Sequence, residues 1–273
     1  MNLHLKLNVR ALLGRAYPRI IGAQREPSWV FFEIFLPVLS IAAYVFIYYA
    51  LKAPPEFVGF VILGGAMTAF WLNVLWSMAA QLYWEKEIGN LQLYMMAPMS
   101  RMSLLGGMAV GGIFMSSTRA VATIVVGVIL FKGVSPVFPL MLIPVFLVTL
   151  VALYGMGMMF ASLYLMWGRE AWHMASLMEE PIYLLSGFYF PVKALGFWVA
   201  ISASVIPITL GLDSMRQLLF PTTVARGWHL LPVEVELAIL VVLAIVFIIL
   251  AKFALTGMEN LARKKGGLTL RWQ

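Results

Sequence analysis

Six stretches of the chain are apolar for long enough to cross a lipid bilayer. They are Trp29–Leu51, Phe57–Leu82, Leu104–Phe131, Phe138–Met166, Trp172–Phe190 and Val233–Leu255. A helix rises about 1.5 Å per residue, so a hydrocarbon core of about 30 Å takes roughly 20 residues. Formal charges inside them are few: Glu33 in the first, Arg119 in the third, Glu179 and Glu180 in the fifth, and Glu234, Glu236 and Lys252 near the ends of the sixth. A further uncharged run, Ala194–Leu212, follows the break Phe190-Pro191-Val192-Lys193 and holds Pro207. It reads either as a seventh span or as a helical hairpin that dips into the membrane and returns.

Charge at the flanks separates these two readings. The chain begins with Lys6, Arg10, Arg15, Arg19 and Arg25, and ends with Lys252, Arg263, Lys264, Lys265 and Arg271. Cytoplasmic flanks collect Lys and Arg, so both termini are expected inside and the span count even. Six spans plus a re-entrant hairpin over 191–232 satisfy this. Lys52, Lys132, Lys193, Arg216 and Arg226 then fall on the outer side. Irregular backbone at membrane depth must be buried in protein or line a water-filled cavity, so the hairpin is expected to pack on its own spans.

Residues 1–28 show a different period. Leu5, Val9, Leu12, Leu13, Ala16 and Ile20 share one helical face, flanked by Lys6, Arg10, Arg15 and Arg19. This predicts an amphipathic helix in the cytoplasmic interface, not a signal peptide, whose apolar core and cleavage site are missing. Arg25-Glu26-Pro27 turns the chain into the first span.

Composition agrees with a membrane protein. Of 273 residues, 62% are hydrophobic and 11% charged, against roughly half and a quarter in soluble domains. The net charge of +7 then marks the cytoplasmic side and gives no reason to expect a nucleic-acid partner. There is no Cys, and the three His residues (His4, His173, His229) are far apart, so neither a thiolate nor a His-based metal site is expected. The fold class is therefore all-α: one polytopic membrane domain over 1–273, with six transmembrane helices, an N-terminal interfacial helix and a re-entrant hairpin between spans five and six.

The loop over 83–103 carries charges at both ends, yet Ile88, Leu91, Leu93, Tyr94, Met95 and Met96 are too apolar for a free solvated loop. A short helix from Gly89 to Ala97, stopped by Pro98, would show an apolar face toward a partner or lie on the lipid surface. From Trp84 to Arg101 the run aromatic-Glu-Lys-Glu-x-Gly-x-Leu-x-Leu-x-x-x-x-Pro-x-Ser-Arg resembles the signature loop of type-2 ABC exporter permeases. It is nearest the branch of daunorubicin-resistance and nodulation-factor permeases. Leu185-Ser186-Gly187-Phe188-Tyr189-Phe190-Pro191-Val192, then Ile206-Pro207-Ile208-Thr209 and Arg216, is similar to that family's end of span five and its re-entrant helices.

The resemblance implies one half of a membrane dimer, served by a separate ABC ATPase subunit that holds the ATP and Mg. Glu85, Lys86, Glu87, Gly89, Leu91, Leu93, Pro98 and Arg101 would form the coupling segment. Ser186, Gly187, Phe190, Pro191, Pro207 and Arg216 would form the re-entrant motif. The chain has no G-x-x-x-x-G-K-[ST] phosphate loop, so no cofactor is expected in it and the energy must come from the partner. The implied function is export of a hydrophobic drug, a lipid-like molecule or a lipid-linked substrate across the cell membrane.

Intramembrane charges suggest function by default. Counted from the span starts, Glu33 lies about 6 Å deep and Glu179/Glu180 about 10–12 Å, while Arg119 lies about 22 Å from the same side. Glu33 and Glu179/Glu180 are therefore expected in one acidic zone, suited to a cationic or amphipathic head group, with Arg119 out of reach. The alternatives are snorkelling for Glu33, a Glu paired with a basic residue of the N-terminal helix, and a structural ion pair or outer head-group contact for Arg119. Pro181 is expected to kink span five. Gly107 and Gly111 stand in GxxxG spacing and should let helices approach closely, within the chain or across a dimer. The 18 Met residues fit ordinary gap filling or an adaptable surface.

Two other functions compete. A secondary transporter could move protons on Glu179/Glu180, but inverted repeats are not apparent. A lipid-modifying enzyme needs a nucleophile–base pair or metal cluster; no GxSxG or HExxH is present, and His173 is the one plausible base.

Overall fold

The computed structural model describes residues 3–25, 27–131, 136–167, 170–222 and 227–265. Their secondary structure is helical, with no strand among them. Helix α1 spans Leu3–Gln24, α2 Pro27–Ala50 and α3 Glu56–Leu72; a π-helical segment, Asn73–Ala79, joins α3 to α4, Gln81–Ile88. Then come α5 (Asn90–Met96), α6 (Arg101–Leu130), α7 (Leu142–Trp167) and α8 (Glu170–Leu185). A 3-10 turn (Val192–Leu195) leads to α9 (Phe197–Ala203) and α10 (Pro207–Leu219), and α11 closes the chain over Val233–Lys265.

Among the described residues, five helical stretches are long and apolar enough to cross a membrane: Val30–Ala50, Glu56–Ile88, Arg101–Leu130, Leu142–Tyr164 and Val233–Gly257. The expected span Trp172–Phe190 corresponds to α8, which has 16 residues, about 24 Å of helix. Pro181 lies inside it. The run Ala194–Leu212 is not one rod, because α9 and α10 meet at a bend of 112°. Pro207 occupies the first turn of α10, where a missing N–H costs nothing.

Helix α3 is the centre. Every residue from Phe57 to Trp71 is buried, as expected of a helix that is apolar all round. It packs on α2, α6 and α10, while α11 lies along α7. The outward faces of α2, α6 and α11 stay apolar and exposed, for example Phe31, Leu36, Phe46, Val121, Ile129, Ile245 and Phe253. That is the surface a lipid solvent requires.

Helices α1 and α2 follow α6 in the same direction. Ser100 N donates to Asn8 Oδ1 at 2.7 Å, Leu12 and Ala16 touch Gly107 and Gly111, Glu33 meets Arg119, and the Phe46 and Phe131 rings stand 6.3 Å apart. The two glycines explain the approach. A Cβ on Gly107 would stand 2.5 Å from the Leu12 carbonyl oxygen, and one on Gly111 3.2 Å from that of Ala16. The GxxxG pair thus serves packing within the chain. Helix α1 turns Leu12, Arg15, Ala16 and Arg19 toward α6 and leaves Leu5, Val9, Leu13 and Tyr17 exposed.

Candidate functional site

Two polar clusters sit at opposite ends of the α3–α4 rod. Phe60 and Gly64 mark one and Glu85 the other, about 37 Å apart along the helix axis at 1.5 Å per residue.

At the α1 end, three arginines cross from one helix to another. Arg15 pairs with Glu85 of α4, and its Nη1 donates to Tyr94 Oη of α5 at 2.9 Å. Gln81 Nε2 donates to the same Glu85 carboxylate at 2.9 Å. Arg19 donates to Ser77 Oγ and, at 3.2 Å, to the Met108 carbonyl. Burial, with help from Arg15 and Arg119, lowers the Arg19 pKa to about 10, so it stays cationic at neutral pH. Burial also raises the Tyr94 hydroxyl above its ordinary value. Arg119 of α6 pairs with Glu33 of α2.

That last pair corrects the depth estimate, which put Arg119 beyond the reach of Glu33. The estimate counted from Leu104 as the point of membrane entry. Yet α1 covers the first turns of α6, so the origin of α6 shifts by about two turns. The structural ion pair considered for Arg119 is what forms, with an acid on α2.

The loop after α4 is a short helix, as its apolar residues predict. Gly89 turns the chain at φ +90°, a left-handed conformation that suits glycine. Ala97 is extended ahead of Pro98 and ends α5. Leu91 is buried, while Ile88, Leu93 and Met96 are 62%, 65% and 82% exposed. Lys86, Glu87 and Arg101 are half-buried and Pro98 is exposed. Glu85 is buried and ties α1 to α4.

Beside this cluster lies a cavity of about 640 Å³ lined by Glu33, Leu72, Asn73, Trp76, Ser77, Gln81, Trp84, Met115 and Arg119. The π segment supplies three of its walls, and such segments recur at functional sites. Trp76 Nε1 donates to Glu179 Oε2 of α8 at 2.8 Å. Glu179 thus bonds a tryptophan of the cavity that Glu33 also lines, whereas Glu180 lines a separate cavity of about 420 Å³ with Ser40, Tyr44, Tyr183 and Tyr189. The two neighbouring glutamates of the expected acidic zone thus part company.

At the α10 end, Arg216, read from the sequence as part of the outer hairpin, is buried. Its guanidinium donates to the carbonyls of Gly187 (2.8 Å), Phe188 (2.7 Å), Phe190 (3.1 Å) and Phe60 (3.1 Å). This fixes the turn after α8, in which Ser186 and Pro191 are buried and Gly187 takes φ +63°. A Cβ on Gly64 would collide with the Phe188 carbonyl. Sequence reasoning passed over Asp213 and Glu236 nearby. Gln217 Nε2 donates to both carboxyl groups at 3.2 Å, and Leu230 N donates to Asp213 at 2.8 Å. Lys132 and Arg226, also assigned outside, lie beyond the described residues, as do Glu26 and Arg271.

Among the described residues no cluster of His, Cys, Asp or Glu could hold a metal ion. His173 is exposed. What the described residues bring together is a mostly apolar cavity with Glu33, Asn73 and Arg119 among its lining, an exposed apolar helix, and ion pairs between the surrounding helices. Compared with known proteins, residues 10–220 match the model of a family described as ABC-2 type transporter. No curated protein matches, and neither does any solved structure.

Proposed function

The chain belongs to the ABC-2 type transporter family, and from that premise we propose that it is the permease half of an ATP-driven exporter. The family makes it a multi-pass membrane protein, the transmembrane subunit of an ABC transporter that works with an ABC ATPase subunit. In the proposal, α8 with the turn after it completes a sixth span, and α9 and α10 form a re-entrant hairpin on the outer side. Both termini face the cytoplasm of a cell-membrane protein, and two copies form the working dimer. The substrate is a drug, lipid-like or lipid-linked amphiphile. Its path runs past Glu33, Arg119, Glu179 and Glu180.

One observation carries the reading. Helix α5 shows Leu93 and Met96 to solvent, with Ile88 beside them, while Leu91 and the Arg15–Glu85–Tyr94 contacts hold it against the bundle. An apolar face held rigidly away from the membrane spans suits docking on a protein partner. Lys86, Glu87 and Arg101 stand at the rim of that face, and Glu85 acts by positioning it.

The test is Leu93→Glu with Met96→Glu in membranes containing the ATPase. ATPase association should fall by roughly tenfold or more, the yield for losing two central apolar contacts, while membrane insertion is unchanged. Wild-type coupled transport in this variant would overturn the docking assignment.

A further inference from the structure

The smaller cavity sets one carboxylate among aromatic rings. It holds about 420 Å³ and opens between α2 and α8, with Tyr44 on α2, Glu180 and Tyr183 on α8, and Tyr189 and Phe190 in the turn that follows. Glu180 is exposed, and among the described residues no Lys or Arg pairs with it. Its neighbour Glu179 is taken by Trp76 of the other cavity. Counted along the helices, Glu180 stands about 15 Å from the start of α8 and Tyr44 about 25 Å from the start of α2. A carboxylate at such depth is costly unless something meets it there.

The rings are held in place without a ligand. Tyr44 and Tyr189 stack with centroids 4.3 Å apart and planes 12° from parallel. Tyr183 leans on the buried Phe188 ring at 5.2 Å. Tyr48 Oη donates to the Tyr189 carbonyl at 2.9 Å, and Arg216 donates to that of Phe190, so the backbone that carries two of the four rings is tied down. Preorganisation of this kind lowers the cost of binding. No Lys or Arg lines the space. Arg216 is not part of its wall, because its guanidinium is buried and bound to the Gly187, Phe188, Phe190 and Phe60 carbonyls.

Aromatic faces and hydroxyls around a single carboxylate attract a cation. The volume is within the usual range for a small-molecule site. Leu184 lines the cavity and is exposed, as are Leu36, one turn before Ser40, and Leu177, one turn before Glu180. They offer an apolar strip for a tail that leaves the cavity between α2 and α8.

We propose that this cavity binds the alkylated ammonium head of a single-chain amphiphile, with Glu180 as its counter-charge and Tyr44, Tyr183, Tyr189 and Phe190 around it. The proposal rests on the reading of Glu180 as part of the substrate path, and it narrows the substrate to cationic amphiphiles. It needs neither ATP nor the partner subunit, so it is tested on the purified full-length chain.

The chain is purified in dodecyl maltoside and its thermal midpoint followed against dodecyltrimethylammonium, dodecyl phosphate and tetramethylammonium. Dodecyltrimethylammonium should raise the midpoint saturably, at concentrations at which the other two do not. The chain carries a net charge of +7, so non-specific attraction favours the phosphate, and a preference for the ammonium reports the cavity. Glu180→Gln should weaken that binding by about tenfold or more. Tyr44→Leu should weaken it by roughly fivefold and Tyr44→Phe by less than about twofold, since the ring and not the hydroxyl carries the contact. Both positions are exposed, so the variants leave the packed core intact. Unchanged affinity in Glu180→Gln would overturn the site, and equal losses in Tyr44→Leu and Tyr44→Phe would overturn the aromatic contact. Equal binding of dodecyl phosphate would overturn the cationic head, and saturation by tetramethylammonium at the same concentrations would overturn the amphiphile. A parent chain that binds none of the three, and whose oligomeric state changes with Glu180→Gln, would give this face to a second copy and overturn the proposal. Failure here leaves the α5 docking result untouched, and failure there leaves this binding result untouched.

Discussion

The two ends of the α3–α4 rod both bury arginine, but they neutralise it differently. At the α10 end Arg216 is held by four backbone carbonyls from the turn after α8 and from α3. The acids there are likewise anchored to backbone, Asp213 by Leu230 N and Glu236 by Leu231 N. At the α1 end Arg15, Arg19 and Arg119 meet side chains on other helices: Glu85, Ser77 and Glu33. A carbonyl cage fixes a chain path, since its acceptors cannot rotate away. Side-chain pairs between helices hold position only while each helix stays in place. The first design suits an end that keeps one chain path, and the second an end whose helices can shift against one another.

Removing Arg216 should give the largest effect. Arg216→Met leaves the Gly187, Phe188, Phe190 and Phe60 carbonyls without their donor inside the protein. The cost is about 3–5 kcal/mol, as for a broken buried charge contact, and thermal unfolding in detergent would show it. Arg216→Lys should recover less than half, because one ammonium cannot span acceptors that a planar fork reaches together. Full recovery by lysine would mean that charge alone matters at this end, and the contrast with the α1 end would weaken.

The second variant acts on the other end. Gly107→Leu drives a side chain into the Leu12 carbonyl. Overpacking of this kind costs about 1–3 kcal/mol, and the structure can relieve it by releasing α1 from α6. The chain has no cysteine, so Ala16→Cys gives a clean reporter: Ala16 is 3% exposed. Maleimide labelling should be slow in the parent and at least tenfold faster with Gly107→Leu. Equal rates would mean that α1 stays docked without the glycine, and that the Arg15 and Arg19 contacts suffice to hold it.

What could be read in advance follows from what leaves a periodic trace. Spans show as apolar runs of the right length, and the helix Asn90–Met96 showed because Pro98 and Gly89 bracket it. The partners of Arg216 left no trace, because an arginine that cages carbonyls and one that flanks a span look alike in a string of letters; those partners are main-chain atoms with no residue signature. Arg119 was separated from Glu33 because depth was counted from the start of each apolar run, while α1 sheathes the first turns of α6. Asn73 was passed over because only formal charges were sought within the spans. An amide in the middle of Phe57–Leu82 was a readable signal, since a polar group there must be satisfied or used. Gly107 and Gly111 announced close packing but not its partner. Spacing on one helix cannot say which other helix fills the groove.

The smallest effect sharpens the account of Arg15. Tyr94 gives it a hydroxyl acceptor at 2.9 Å and a ring face at 5.2 Å, while Glu85 gives it a carboxylate. Tyr94→Phe removes one hydrogen bond and keeps the ring, a loss of about 0.5–1.5 kcal/mol. Glu85→Gln removes the charge that offsets a buried guanidinium and should cost more, about 1.5–3 kcal/mol. Labelling of Ala16→Cys should therefore rise only a few-fold with Tyr94→Phe and clearly further with Glu85→Gln. If the order were reversed, the hydroxyl and not the carboxylate would hold α1 to α5, and the α1 end would depend on the α5 helix itself for its grip. Docking of a partner on Leu93 and Met96 would then reach Arg15 directly through Tyr94, which lies between them in α5, without passing through Glu85 at all.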